Sequence, residues 1–216
     1  MNKTLTSPNN LSLLWVSIWV SPRRTIRQIV DHNPSQSVYL LSALAGIYRF
    51  LNQAAKRSLG DYMSLGEILV LAILLGSLLG IFLVFVGAEL FRWVGSKLNG
   101  QATATQVRAA MAWSSIPEIV LLLLFCPLII MYGRDYFSSS IDWMTPMIFR
   151  LILGVGLLGL LLLIWRAVLF VNCLAEVHEF SFWKGLLTTV LGLLIVIIPF
   201  GLLLMGQIWL PKLFPS

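Results

Sequence analysis

Between Ile68 and Ala88 the chain runs for 21 residues without one charged side chain, with Glu67 just before the run and Glu89 just after it. As a helix this stretch rises about 30 Å, the thickness of a bilayer's hydrocarbon core. Nothing but a membrane-spanning helix buries such a run on every side. Every other element must therefore fold with lipid as its solvent.

The rest of the chain repeats the pattern. Apolar stretches at about 37–55, 107–131, 147–173 and 183–208 each have the length a span needs. Charged residues make up 11% of the chain and hydrophobic ones 58%. Soluble domains carry about 25% charged residues, so a soluble fold is excluded. The expected fold class is all-α: a polytopic membrane protein with five transmembrane helices over 37–210. An N-terminal amphipathic interfacial segment (1–36) precedes them and a short tail (211–216) follows. The loops near 95–105 and 133–143 are too short to fold alone.

Within the second stretch Ala72, Gly76 and Gly80 recur every four residues, a small-residue stripe that lets another helix approach closely. Gly154, Gly156 and Gly159 suggest the same use in the fourth. Pro117 in the third and Pro199 in the fifth each remove a backbone donor and predict kinks.

The first 36 residues are of another kind. Leu11 to Val20 is apolar but too short to span. Ser21-Pro22 then opens a helix, with Ser21 as its cap and Pro22 in its first turn. Ile26, Ile29 and Val30 share one face of it, and Arg23, Arg24 and Arg27 lie towards the other. Such a basic amphipathic helix suits the headgroup level of an anionic leaflet; docking on the protein's own loops is the alternative. No small-residue cleavage site follows the apolar run, and two arginines stand just downstream, so a cleaved leader is not expected.

Charge asymmetry sets the orientation. With the N-terminus inside, the inner segments hold Lys3, Arg23, Arg24, Arg27, Arg92, Lys97, Arg108 and Lys184, and the outer ones only Lys56, Arg57, Arg134 and Lys212. Positive residues favour the cytoplasmic side, which puts the N-terminus in and the C-terminus out. Trp93, Trp113 and Trp183 then mark inner boundaries and Trp143 and Trp209 outer ones. The net charge of +6 serves topology and anionic headgroups rather than nucleic acid, because the cations are not gathered into one stripe.

Ionisable groups at depth are the candidates for function. Counting 1.5 Å per residue, Glu118 lies near the midplane and Arg49 enters from the same side to a similar depth, so the two form an expected pair. Glu89 and Arg166, both placed towards inner helix ends, form a second. Each pair reads either as a clamp on helix register or as a polar site beside the Pro117 bend.

Other chemistry is excluded. Glu176, His178 and Glu179 match no metal-ligand spacing, so a solvated turn is expected, with Ser181 capping the next helix. Cys126 and Cys173 sit in apolar runs as small hydrophobes. Ser114 and Ser115 have no histidine base in their span. There is no phosphate-binding glycine loop and no nucleophile elbow. No enzyme activity, cofactor or metal is expected.

Three segments carry a resemblance. Ile18 to Val30 (IWVSPRRTIRQIV) resembles the opening of bacterial members of the YIP family, five-span membrane proteins named for eukaryotic relatives that interact with Ypt/Rab GTPases. Gly100 to Pro117 (GQATATQVRAAMAWSSIP) resembles that family's loop and third-span start. Trp165 to Lys184 resembles the join between its fourth and fifth spans. The resemblance implies five helices with a cytoplasmic N-terminus. It also implies a role akin to the vesicle traffic and membrane shaping of the eukaryotic members, and it brings no catalytic residues. Their long cytoplasmic N-terminal region has no counterpart in 1–36, so GTPase binding is not expected.

Two functions follow as expectations. The first is a non-enzymatic scaffold or adaptor in the cytoplasmic membrane, binding another membrane protein or a second copy of itself through its glycine stripes and inner loops. The second is a small transporter or lipid-handling protein built around Arg49 and Glu118.

Overall fold

The structure, a computed structural model, describes residues 11–139 and 146–213, with side-chain surroundings for 14–139, 153–199 and 201. The expectations for Lys3 and Trp143 lie outside these residues, and for Trp209 and Lys212 only the backbone is described. In chain order the helices are α1 (Leu11–Val20), α2 (Pro22–His32), α3 (Val38–Lys56), α4 (Leu65–Leu71), α5 (Ser77–Lys97), α6 (Ala104–Trp113), α7 (Ile116–Tyr132), α8 (Pro146–Val177) and α9 (Phe182–Leu213). No strand occurs among the described residues.

Among the described residues four segments are long and apolar enough to cross a membrane: Leu65–Lys97, Ala104–Phe137, Leu153–Val177 and Phe182–Pro199. Helix α3 covers the first expected span and is not among these four. Arg49, Asn52, Gln53 and Lys56 leave it less apolar than the other four.

Helices α4 and α5 form one rod joined by a π-helical turn, Ala72–Gly76. That turn and α5 pack against α3 at backbone contact distance. A Cβ on Gly46 would stand 2.1 Å from the Gly76 carbonyl oxygen, and one on Gly80 would stand 2.2 Å from that of Ser42. Ala72, Gly76 and Gly80 thus face α3 of the same chain. The matching stripe, Ser42 and Gly46, was legible in the same four-residue spacing. Gly154, by contrast, has nothing within 4 Å of a built Cβ.

The third span is two helices. Helix α6 stops at Trp113, and α7 starts afresh with Pro117 in its first turn, where a missing N–H costs nothing. The expected bend at Pro117 is therefore a break. Ser114 and Ser115 bridge it, both hydroxyls donating to the Met111 carbonyl at 2.9 and 3.0 Å. Pro199 stands exposed within α9.

Two apolar clusters hold the bundle. One joins Ile18, Ile26, Ile29, Val107, Trp113, Ile116, Cys173 and Leu174. The other joins Leu51, Ala54, Ile68, Ala72, Phe125 and Phe137.

The apolar face of α2 is part of the first cluster, with Ile26 and Ile29 buried against α6 and α8. This corrects the lipid-facing expectation, because α2 lies on its own protein. Arg27 donates from Nε to Glu176 Oε1 at 3.0 Å and from Nη2 to the Glu176 carbonyl at 3.1 Å. Arg23 reaches Asn172 Oδ1 at 3.3 Å and the Phe180 carbonyl at 3.4 Å. These two arginines satisfy carbonyls at and just beyond the C-terminus of α8, where positive charge is favoured. Arg24 stays exposed. Ser21 is the cap residue of α2 but makes no side-chain cap bond; Thr25 instead donates to the Ser21 carbonyl at 2.9 Å.

Candidate functional site

Between the two apolar clusters lies a layer of charge. Glu118 is 5% exposed and accepts two bonds from Arg49: Nε to Oε1 at 3.2 Å and Nη2 to Oε2 at 2.7 Å. Arg166 brings its Nε to 3.2 Å from the same Oε1, an ion pair in which the N–H is not aligned for a hydrogen bond. One carboxylate thus serves two guanidiniums from two other helices, tying α3, α7 and α8 together.

The expected Arg49–Glu118 pair is present. The expected Glu89–Arg166 pair is not, because each residue pairs elsewhere. Arg166 is taken by Glu118. Glu89 instead accepts from Arg92 Nε at 3.0 Å and from Arg108 Nη2 at 3.1 Å, closing α5 onto α6 at a half-exposed position.

The break before α7 matters here. Glu118 occupies the first turn of α7, and its own N–H bonds to the Ser115 carbonyl at 2.9 Å. A carboxylate in a helix's first turn is favoured by the dipole, and two guanidiniums add to that. A discontinuous helix with its positive end against an acidic group is an arrangement that transport folds also use.

The pair borders an open cavity of about 550 Å³ between α3, α7 and α8. Its polar side comes from α3: Tyr48, Arg49, Asn52 and Lys56, on successive turns. Leu121, Phe125 and Leu128 of α7 form the inner wall, and Gly156, Gly159, Leu160 and Leu163 of α8 form the outer one. The volume falls in the range of small-molecule sites. Tyr48, Phe125 and Tyr136 pack edge to face, with centroids 5.4 and 5.5 Å apart. Lys56, Asn52 and Tyr136 escaped the reading of the sequence. The spacing of Lys56, Asn52 and Arg49 on one face of α3 was the available signal.

Two loop sites flank the bundle. Asp61 accepts from the Ser139 backbone at 3.1 Å, from Ser139 Oγ at 2.7 Å and from Ser138 Oγ, and these bonds hold its carboxyl below the usual range. His178, 1% exposed, lies against the backbone of Gly95 and Gly100 and stacks on Phe180 with centroids 5.2 Å apart. Burial pushes its pKa down, against a smaller raising effect of the Phe91 carbonyl. Glu176 and Glu179 turn to Arg27 instead, so the three residues do not converge. Cys173 is buried, and Cys126 is exposed on α7.

A family model described as the Yip1 domain matches residues 16–205. The chain belongs to the Yip1 family. Comparisons with curated proteins and with solved structures returned no match. The family and the four apolar segments together make this a multi-pass membrane protein. In this Yip1-family chain the matched region takes in α2, the charge layer and the whole cavity lining.

Proposed function

We propose that this Yip1-family protein is a non-enzymatic lipid-handling protein of the cytoplasmic membrane, which admits a membrane lipid into the cavity between α3, α7 and α8. In this reading α3 is a fifth span, the N-terminus is cytoplasmic and the C-terminus lies outside. The observation that carries it is the Arg49–Glu118–Arg166 cluster beside a cavity with one polar and two apolar walls. A structural clamp alone needs no adjoining space. Charge bordering an apolar groove suits a ligand with a polar head and a hydrocarbon tail.

The test uses the full-length protein in lipid nanodiscs containing a phospholipid with a photoreactive acyl chain. Leu121, Phe125 and Leu128 are at most 6% exposed yet line the cavity. Label on them requires a chain inside it. Gly156→Leu should suppress that label, because a Cβ there meets nothing within 4 Å and the larger side chain enters the cavity without disturbing the helices. Label confined to outward residues such as Leu161 and Ile164 would refute the reading.

A second reading, the scaffold or adaptor, is favoured by one observation. Only 11% of the apolar window in Leu153–Val177 is buried, and Gly154 on it is open to close approach. Crosslinking in intact membranes, followed by mild-detergent purification, tests it. A stoichiometric second membrane protein or homo-oligomer supports it, and a clean monomer removes it.

A further inference from the structure

The charge on the cavity is unbalanced. Its lining holds Arg49 and Lys56 against one carboxylate, Glu118, and Arg166 leans on that same carboxylate from behind. Two guanidiniums therefore share one buried carboxylate, and the Lys56 ammonium at the exposed end of α3 adds a third cation. The second guanidinium has no carboxylate of its own, and uncompensated charge inside a membrane protein is costly and calls for a counterion.

The cations are also arranged in order. Lys56 closes α3, Asn52 lies one turn further in and Arg49 about 10 Å from Lys56 along the axis. Among the described residues, Lys56 and Asn52 make no hydrogen bond or ion pair with any protein group, although both face the cavity. Arg49, by contrast, is held by Glu118. A ligand entering from the end of α3 meets free donors first and the occupied guanidinium last.

Resting on the lipid-handling reading, we propose that the ligand is an anionic amphiphile. Its phosphate or carboxylate head sits on Lys56, Asn52 and Arg49, and an acyl chain lies between Leu128 and the Leu160–Leu163 wall. The head supplies the charge that Glu118 leaves uncompensated. A small hydrophilic anion would leave the leucine walls uncovered. A choline head would bring a fourth cation into the site.

The experiment compares photoreactive-chain phosphatidylglycerol with photoreactive-chain phosphatidylcholine, each at trace level, with the full-length protein in phosphatidylcholine nanodiscs. Phosphatidylglycerol should label Leu121, Phe125 and Leu128 roughly fivefold more strongly than phosphatidylcholine does, as expected of about one charge contact. Lys56→Glu, at an exposed helix end, should abolish that preference, and Lys56→Gln should reduce it. Unlabelled phosphatidylglycerol and oleate then act as competitors. Competition by oleate alone assigns a carboxylate head, and competition by phosphatidylglycerol alone assigns a phosphate; either supports the proposal. Equal labelling by both probes, unchanged in Lys56→Glu, overturns the anionic class and leaves the lipid-handling reading standing. Absence of inner-wall label from either probe overturns both.

Discussion

Replacing Glu118 by Gln tests the charge layer most directly. The substitution keeps the shape of the side chain and removes its charge. Gln presents one acceptor oxygen to two guanidiniums and turns an amide donor towards one of them. Removing one partner of a buried ion pair costs about 3–5 kcal/mol. Here the carboxylate side chain is 7% exposed but Arg49 and Arg166 are 29% and 32% exposed, so part of that cost is relieved by reorientation. We expect a loss of about 2–3 kcal/mol, which for a chain of this size corresponds to roughly 5–10 °C in Tm. Thermal unfolding in mild detergent, followed by near-UV circular dichroism, measures it. The decisive comparison is Arg49→Gln combined with Glu118→Gln. In the single variant two guanidiniums face each other with nothing between them, and the second change removes one. The double variant should therefore be no less stable than Glu118→Gln alone. If the two losses simply add, the three charges do not act as a unit and the reasoning fails.

Three further outcomes are expected. Gly46→Ala should destabilise the protein by about 1–3 kcal/mol or more, since its Cβ would meet backbone on α5 and the adjoining π turn that no rotamer change can relieve; Gly66→Ala, with nothing within 4 Å, should be neutral in the same unfolding assay. Burial lowers the His178 pKa below its ordinary 6.5, so the folded state binds fewer protons than the unfolded one. Stability should then be complete above about pH 6.5 and fall as pH drops below it towards the folded-state value. A Tm series from pH 7.5 to 5 should show that slope, and His178→Asn should flatten it. Asp61→Ala should release the tie between 59–61 and 138–139, read as faster hydrogen exchange at 59–63 and 133–139 with little change elsewhere.

The helices were legible because lipid demands long apolar runs, and four of the five expected spans have the required length and apolarity. The Arg49–Glu118 contact was legible because both residues are deep and oppositely charged. The Glu89–Arg166 pair failed although α8 runs nearly where expected, because depth alone does not say which helices are neighbours: Arg166 turns to Glu118 and Glu89 to Arg108. The break at Ser114 and Ser115 was hidden because Trp113 and Ile116 continue the apolar pattern across it. Periodicity cannot tell a proline that bends a helix from one that starts a helix. The docking of α2 depends on Glu176, almost 150 residues away, and local pattern carries nothing about so distant a partner. The cavity was not legible at all, because empty space is a property of three helices together.

The wide turn at Ala72–Gly76 bears on how the chain can vary in length. Adding or removing one residue elsewhere in α5 would rotate everything beyond it by about 100°, carrying Gly80 away from α3 and Glu89 away from Arg108. A π turn closes i to i+5, one residue more than an α-helical turn. Loss of one residue between 72 and 76 would close the ordinary turn and leave both flanking faces where they are. This is the place in the second span where a single-codon deletion would spare the bundle.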